Sequence, residues 1–74
     1  MTVLEMYVIY DHPLDYPNHW VTRRWEVYRN ADPEPTEAFT LHATLEAARS
    51  AVPPGKHRIQ AMSEDDPTII ETWV

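Results

Sequence analysis

Two carboxylates, two histidines and two arginines fall within residues 11–24 of this chain: Asp11, His12, Asp15, His19 and the pair Arg23-Arg24. Pro13, Pro17, Tyr10, Tyr16, Trp20 and Trp25 lie among and beside them. Carboxylate and imidazole side chains are ligands for zinc, manganese or iron. A carboxylate next to a histidine is also the starting material of general acid–base catalysis. The spacing of Asp11, His12, Asp15 and His19 matches no established ligand motif, so as a metal set they stand as weak candidates only. No activated nucleophile pattern accompanies them. Gly55 is the single glycine of the chain, so no Gly-rich phosphate loop exists. The expectation is a protein without catalytic residues, metal or cofactor, and not an enzyme. On the plainer reading Asp11 and Asp15 make turn hydrogen bonds to backbone amides. Asp11, His12, Asp15 and Arg23 then form a structural connector. Arg23 falls by alternation on the core side of a strand, where an unpaired guanidinium is costly. It is expected to reach back to Asp11 or Asp15, or else to sit at a bulge.

The elements around this connector are readable from periodicity. Residues 3–10 are rich in β-branched and aromatic types and predict a strand. Pro13 and Pro17 forbid regular structure after it. Residues 20–29 predict a second strand. Residues 30–37, with two prolines and three acids, predict a solvated loop, and Phe39 and Leu41 either add a short strand or pin that loop to the core. Thr44 is a good N-cap with Glu46 in the first turn, and Leu45, Ala48 and Val52 share one helical face. A helix is expected over about residues 45–52, stopped by Pro53-Pro54-Gly55. Residues 56–62 and 68–74 predict two further strands joined by an acidic turn.

The expected fold class is therefore α+β, a small antiparallel sheet of about four strands with one helix on one face, in the order ββαββ. It forms a single domain over residues 1–74. The helix is expected to cover Leu4, Met6, Val8, Val21, Trp25, Val27, Ile59, Ala61, Ile70 and Val74. The opposite face would carry Glu5, Tyr7, Trp20, Arg24, Glu26, Tyr28, Lys56, Arg58, Gln60, Glu71 and Trp73, with nothing over it. Trp, Tyr and Arg dominate the energetics of protein interfaces. Trp20, Arg24, Tyr28, Arg58 and Trp73 are thus the expected binding face.

Tyr10-Asp11-His12-Pro13, Asp15-Tyr16-Pro17 and Arg23-Arg24-Trp25 together resemble a pattern in short bacterial and phage proteins of no assigned activity. Leu45-Glu46-Ala47-Ala48-Arg49 before Pro53, and Asp65-Asp66-Pro67 before Ile70-Glu71-Thr72-Trp73, are similar to the same group. The resemblance spans nearly the whole chain and marks the connector as a landmark. It implies no activity, cofactor or partner.

Composition narrows the function classes. Twelve acids against six bases give a net charge of −6. That sign repels nucleic acid and anionic membranes and disfavours them as partners. The absence of cysteine excludes disulfides and thiolate chemistry. With no basic, apolar leader pattern at the N-terminus and no staples, a cytoplasmic location is expected. No run approaches the length of a membrane span. A chain of 74 residues builds only a small core, so burial against another protein is expected to supplement it. The function expected is a protein-interaction module that self-associates, as a homodimer for instance, through the aromatic and arginine face. The alternative is nucleic-acid or anion binding through the same face, and the third is metal binding by the connector.

Overall fold

Runs rich in β-branched and aromatic residues form the strands, which pair into one antiparallel sheet. The computed structural model describes residues 2–60 and 67–74. Its elements are β1 (Thr2–Asp11), β2 (Trp20–Tyr28), β3 (Glu34–His42), α1 (Leu45–Ser50), β4 (Arg58–Gln60) and β5 (Ile69–Trp73). The fold is α+β, with strand order β3-β2-β1-β5-β4 in a five-stranded sheet. β1 is the middle strand of the five, with β2 on one side and β5 on the other. The first three strands form a meander. The chain then crosses through α1 and returns as the β4–β5 hairpin.

The expectation of about four strands in the order ββαββ is corrected by β3. Pro33, Pro35 and the acids suggested a loop, yet the strand begins at Glu34. β3 is an edge strand, where a proline's missing N–H need not interrupt a ladder. The β2–β3 register also shifts between Arg23 and Trp25, close to the site of Pro35. The strand predicted over residues 56–62 shrinks to β4, of three residues, extended by paired backbone bonds between His57 and Val74 of 2.7 and 2.8 Å. Ala61 and Met62, expected to continue it, and the acidic turn up to Asp66 lie outside the described residues.

The helix starts as expected. Thr44 is extended, and its Oγ1 accepts a 3.1 Å bond from the Ala47 amide. The helix is shorter than predicted, ending at Ser50 with Ala51 as its cap.

A larger correction concerns the face it covers. Cross-strand register places Ile9 beside both Thr22 and Glu71. The Thr22 hydroxyl donates a 2.8 Å bond to the Ala48 carbonyl, and Arg49 pairs with Glu71. The helix therefore lies on the face of Glu5, Tyr7, Ile9, Thr22, Arg24 and Glu71, the face expected to be bare. Ile9 and Ala48 are fully buried on this side. Leu4, Met6, Val8, Val21, Arg23, Trp25, Val27 and Ile59 lie on the other, open face. Alternation defines two faces, but it does not say which of them a helix takes.

Candidate functional site

On the helix side, one cross-strand row runs Arg58–Trp73–Tyr7–Arg24 across β4, β5, β1 and β2. Three of the five expected binding residues, Arg24, Arg58 and Trp73, thus stand side by side. Trp20 and Tyr28 do not join them. Trp20 pairs with Asp11 and His42, on the far side of the level that docks the helix. Tyr28 pairs with Thr2 at the opposite end and donates a 2.9 Å bond to Glu26.

Carboxylates already accompany both arginines of the row. Arg24 lies 3.5 Å from Glu5 and 3.6 Å from Glu26, and Arg58 lies 3.6 Å from Glu71. Lys56 donates a 2.8 Å bond to the Glu5 carbonyl and sits 5.8 Å from the centre of the Tyr7 ring. The row is locally neutral or acidic, which gives a phosphate backbone little to hold. Beside the helix end is a cleft of about 250 Å³ lined by Tyr7, Thr22, Arg24, Ala38, Thr40 and Ala51, among others. It is smaller than the roughly 300–1,000 Å³ typical of small-molecule sites. The Arg24 Nε beside it is buried without a hydrogen-bond partner.

Glu71 anchors the helix. Its side chain is almost wholly buried and accepts bonds from Arg49 Nε at 2.8 Å, Arg49 Nη2 at 3.1 Å and Trp73 Nε1 at 3.1 Å. Burial pushes its carboxyl up, but the Arg49 and Trp73 bonds and the charges of Arg49 and Arg58 outweigh that. The net result holds it below the ordinary glutamate range. The bond to Glu71 likewise raises the Arg49 guanidinium above its usual value. This cluster was not singled out from the sequence. The signal available was a lone acid between Ile70 and Trp73 and a helix bearing Arg49.

The connector is organised by its backbone. Tyr16 donates to the Pro13 carbonyl at 2.9 Å, His19 to the Tyr16 carbonyl at 3.2 Å, and His12 to the His19 carbonyl at 3.1 Å. Two successive turns result, with His12 in the left-handed region at φ 51. Among the described residues, neither Asp11 nor Asp15 makes the expected turn bond to a backbone amide. Asp11 instead contacts His12 Nδ1, and Asp15 is exposed. The His12 ring meets the edge of Trp20 at 5.4 Å. Asp11, His12, Asp15 and His19 do not converge. Among the described residues no group of three such side chains is placed to hold a metal ion.

Arg23 makes neither of the ion pairs expected of it. Its Nη1 donates a 2.7 Å bond to the Thr36 carbonyl, and its guanidinium lies 4.6 Å from the Phe39 ring centre. Phe39 in turn touches Tyr16 of the connector, at 5.3 Å. The arginine is thus tied to the connector through two rings, beside the β2–β3 register shift.

The open face is apolar. Trp25 lies level with Met6, and Tyr10 with Val21. The Trp25 Nε1 nevertheless donates a 3.1 Å bond to the Tyr10 hydroxyl, so the two rings bridge across the intervening Val8 level. Val8 and Val21 are buried beneath this layer of side chains. Around them Leu4 is 41% exposed, Leu41 41% and Ile59 48%, while Met6, Trp25 and Val27 are half-buried. The main polar groups of the face are satisfied within it, Trp25 by Tyr10 and Arg23 by Thr36. Among the described residues, no helix is long and apolar enough to cross a membrane.

No protein family, curated protein or solved structure matches this chain.

Proposed function

We propose that this chain is a small non-enzymatic protein-interaction module whose working surface is the open face of its sheet. One observation carries the reading: the helix occupies the polar face, and among the described residues no helix or second sheet covers the apolar one. A continuous exposed apolar surface on a small protein marks an interaction site more often than chance. The residue types agree, since Trp25, Tyr10 and Arg23 belong to the classes that anchor interfaces. Support for a non-enzymatic role comes from the connector. The Asp11–His12 pair is exposed, and among the described residues no hydroxyl is bonded to it. The alternative of anion binding through Arg24 and Arg58 is weakened by the carboxylates beside both.

Residues held ready for a partner contribute less to folding than core residues do. Leu41→Lys and Ile59→Lys are therefore expected to cost under about 1 kcal/mol each, as surface substitutions do. An apolar dye that binds the native protein is expected to bind both variants less. Losses of about 3 kcal/mol or more in urea unfolding would mean that the face is core, and would sink the reading.

A further inference from the structure

We infer that the partner of the open face is a second copy of this chain, packed sheet against sheet about a twofold axis; the inference rests on that face being an interaction surface. Shape is the first argument. Five strands about 4.8 Å apart make a face roughly 24 Å wide, and strand lengths of three to ten residues give it an area of about 600 Å². A docked helix about 10 Å across would leave more than half of that bare. A peptide added to the β3 edge would leave all of it bare. A sheet of equal size covers it, since stacked sheets lie about 10 Å apart with their strands nearly aligned.

Area is the second argument. Two such faces bury about 1,200 Å² in total, at the lower edge of the range for specific interfaces. Area alone does not set the affinity; micromolar association is within reach of an interface of this size.

Charge is the third. A chain of net charge −6 repels its own copies. Register places Glu5, Glu26 and Glu71 on the helix side, while on β1 and β2 the charged side chain of the open face is Arg23. Its guanidinium is drawn toward β3 by Phe39 and the Thr36 carbonyl. On β1 and β2, two copies that meet by this face bring no carboxylates together. Trp25 enters the contact with its N–H already bonded to Tyr10, so no donor is stranded when water leaves.

The test is sedimentation equilibrium of the full chain from about 5 to about 200 µM, a range that brackets micromolar association. A monomer–dimer equilibrium is expected. Leu41→Lys and Ile59→Lys each put an unpaired ammonium into an apolar contact at one of the outer strands and should each weaken it about tenfold or more. Glu46→Gln on the exposed helix surface should leave it unchanged. A monomer at every concentration overturns the inference, as does a dimer indifferent to both lysines but broken by Thr40→Pro on the β3 edge. If the chain stays monomeric while both lysine variants keep native stability and lose dye binding, the second copy alone is excluded and the interaction surface stands. If the lysine variants unfold, the surface reading fails with it.

Discussion

Glu71→Gln tests the attachment of the helix to the sheet. Glu71 receives two bonds from Arg49 and one from Trp73, and Arg58 lies nearby. A glutamine of the same shape keeps one carbonyl oxygen, enough for Arg49 Nε and Trp73 Nε1. Its amide then turns a donor toward Arg49 Nη2, so one charge-assisted bond is lost and a donor–donor contact replaces it. Hydrogen bonds to charged groups contribute about 1.5–3 kcal/mol. Arg49 is partly exposed, and solvent screening reduces the long-range share. A loss of about 2 kcal/mol at neutral pH is expected, or a Tm drop of about 10 °C for a domain of this size.

The pH dependence makes the test stringent. The folded-state pKa of Glu71 is depressed, so its contribution is present above the unfolded value, about 4.3 for glutamate. The contribution fades as pH falls through the lower folded value, because the native carboxylate must then take up a proton. Urea unfolding of both proteins at pH 7 and at about pH 3 should show a gap that narrows with acid. Superimposed curves at neutral pH, or a gap undiminished at low pH, would refute the ion cluster as the anchor.

Other substitutions address single contacts. Thr44→Ala removes the bond to the Ala47 amide and should cost about 1 kcal/mol, read from urea midpoints. Arg23→Lys keeps the charge but loses the planar contact with Phe39, and should cost about 0.5–1 kcal/mol with a shift in the Phe39 ring resonances. Gly55→Ala meets no atom within 4 Å, yet Gly55 has φ 87. Its expected cost of about 1–2 kcal/mol is all backbone strain, so Gly55→Asn should recover part of it.

The strands that could be read from sequence were those rich in β-branched and aromatic residues, β1, β2 and β5. Their observed bounds differ from the expected ones by a residue or so. β3 was half hidden because proline scores against strands in general, whereas an edge strand tolerates it. Thr44 was legible because a cap is a local bond between residues three apart. Arg23 was recognised as needing either a partner in the connector or a bulge; a register shift does lie beside it, and its partners are a carbonyl and a ring on β3 rather than Asp11 or Asp15. The connector's acids attracted attention through their chemistry, yet its turns are closed by the Pro13 and Tyr16 carbonyls, groups that every residue carries. Of the expected binding face, alternation correctly placed Arg24, Arg58 and Trp73 on one side. Trp20 and Tyr28 stand apart from them because each lies four residues from Arg24 along β2.

The choice of face has a physical reason that hydrophobicity alone misses. A six-residue helix is about 9 Å long and spans little more than one cross-strand level. It cannot bury the open face, which extends over the full length of β1 and β2. It can satisfy the one level where polar side chains are buried. Thr22 and Glu71 flank Ile9 there, and each would be costly without a partner. The helix supplies both partners from adjacent positions, the Ala48 carbonyl to Thr22 and the Arg49 guanidinium to Glu71. Ala48, with no side chain beyond Cβ, permits the close approach that these bonds need. On the open face the corresponding demand is already met, because Trp25 bonds Tyr10 and Arg23 bonds β3. The helix is thus drawn to the polar face by unmet hydrogen bonds, and the face whose polar groups are self-satisfied is the one left open. Such a surface asks little of its partner beyond a flat, apolar shape that tolerates Arg23.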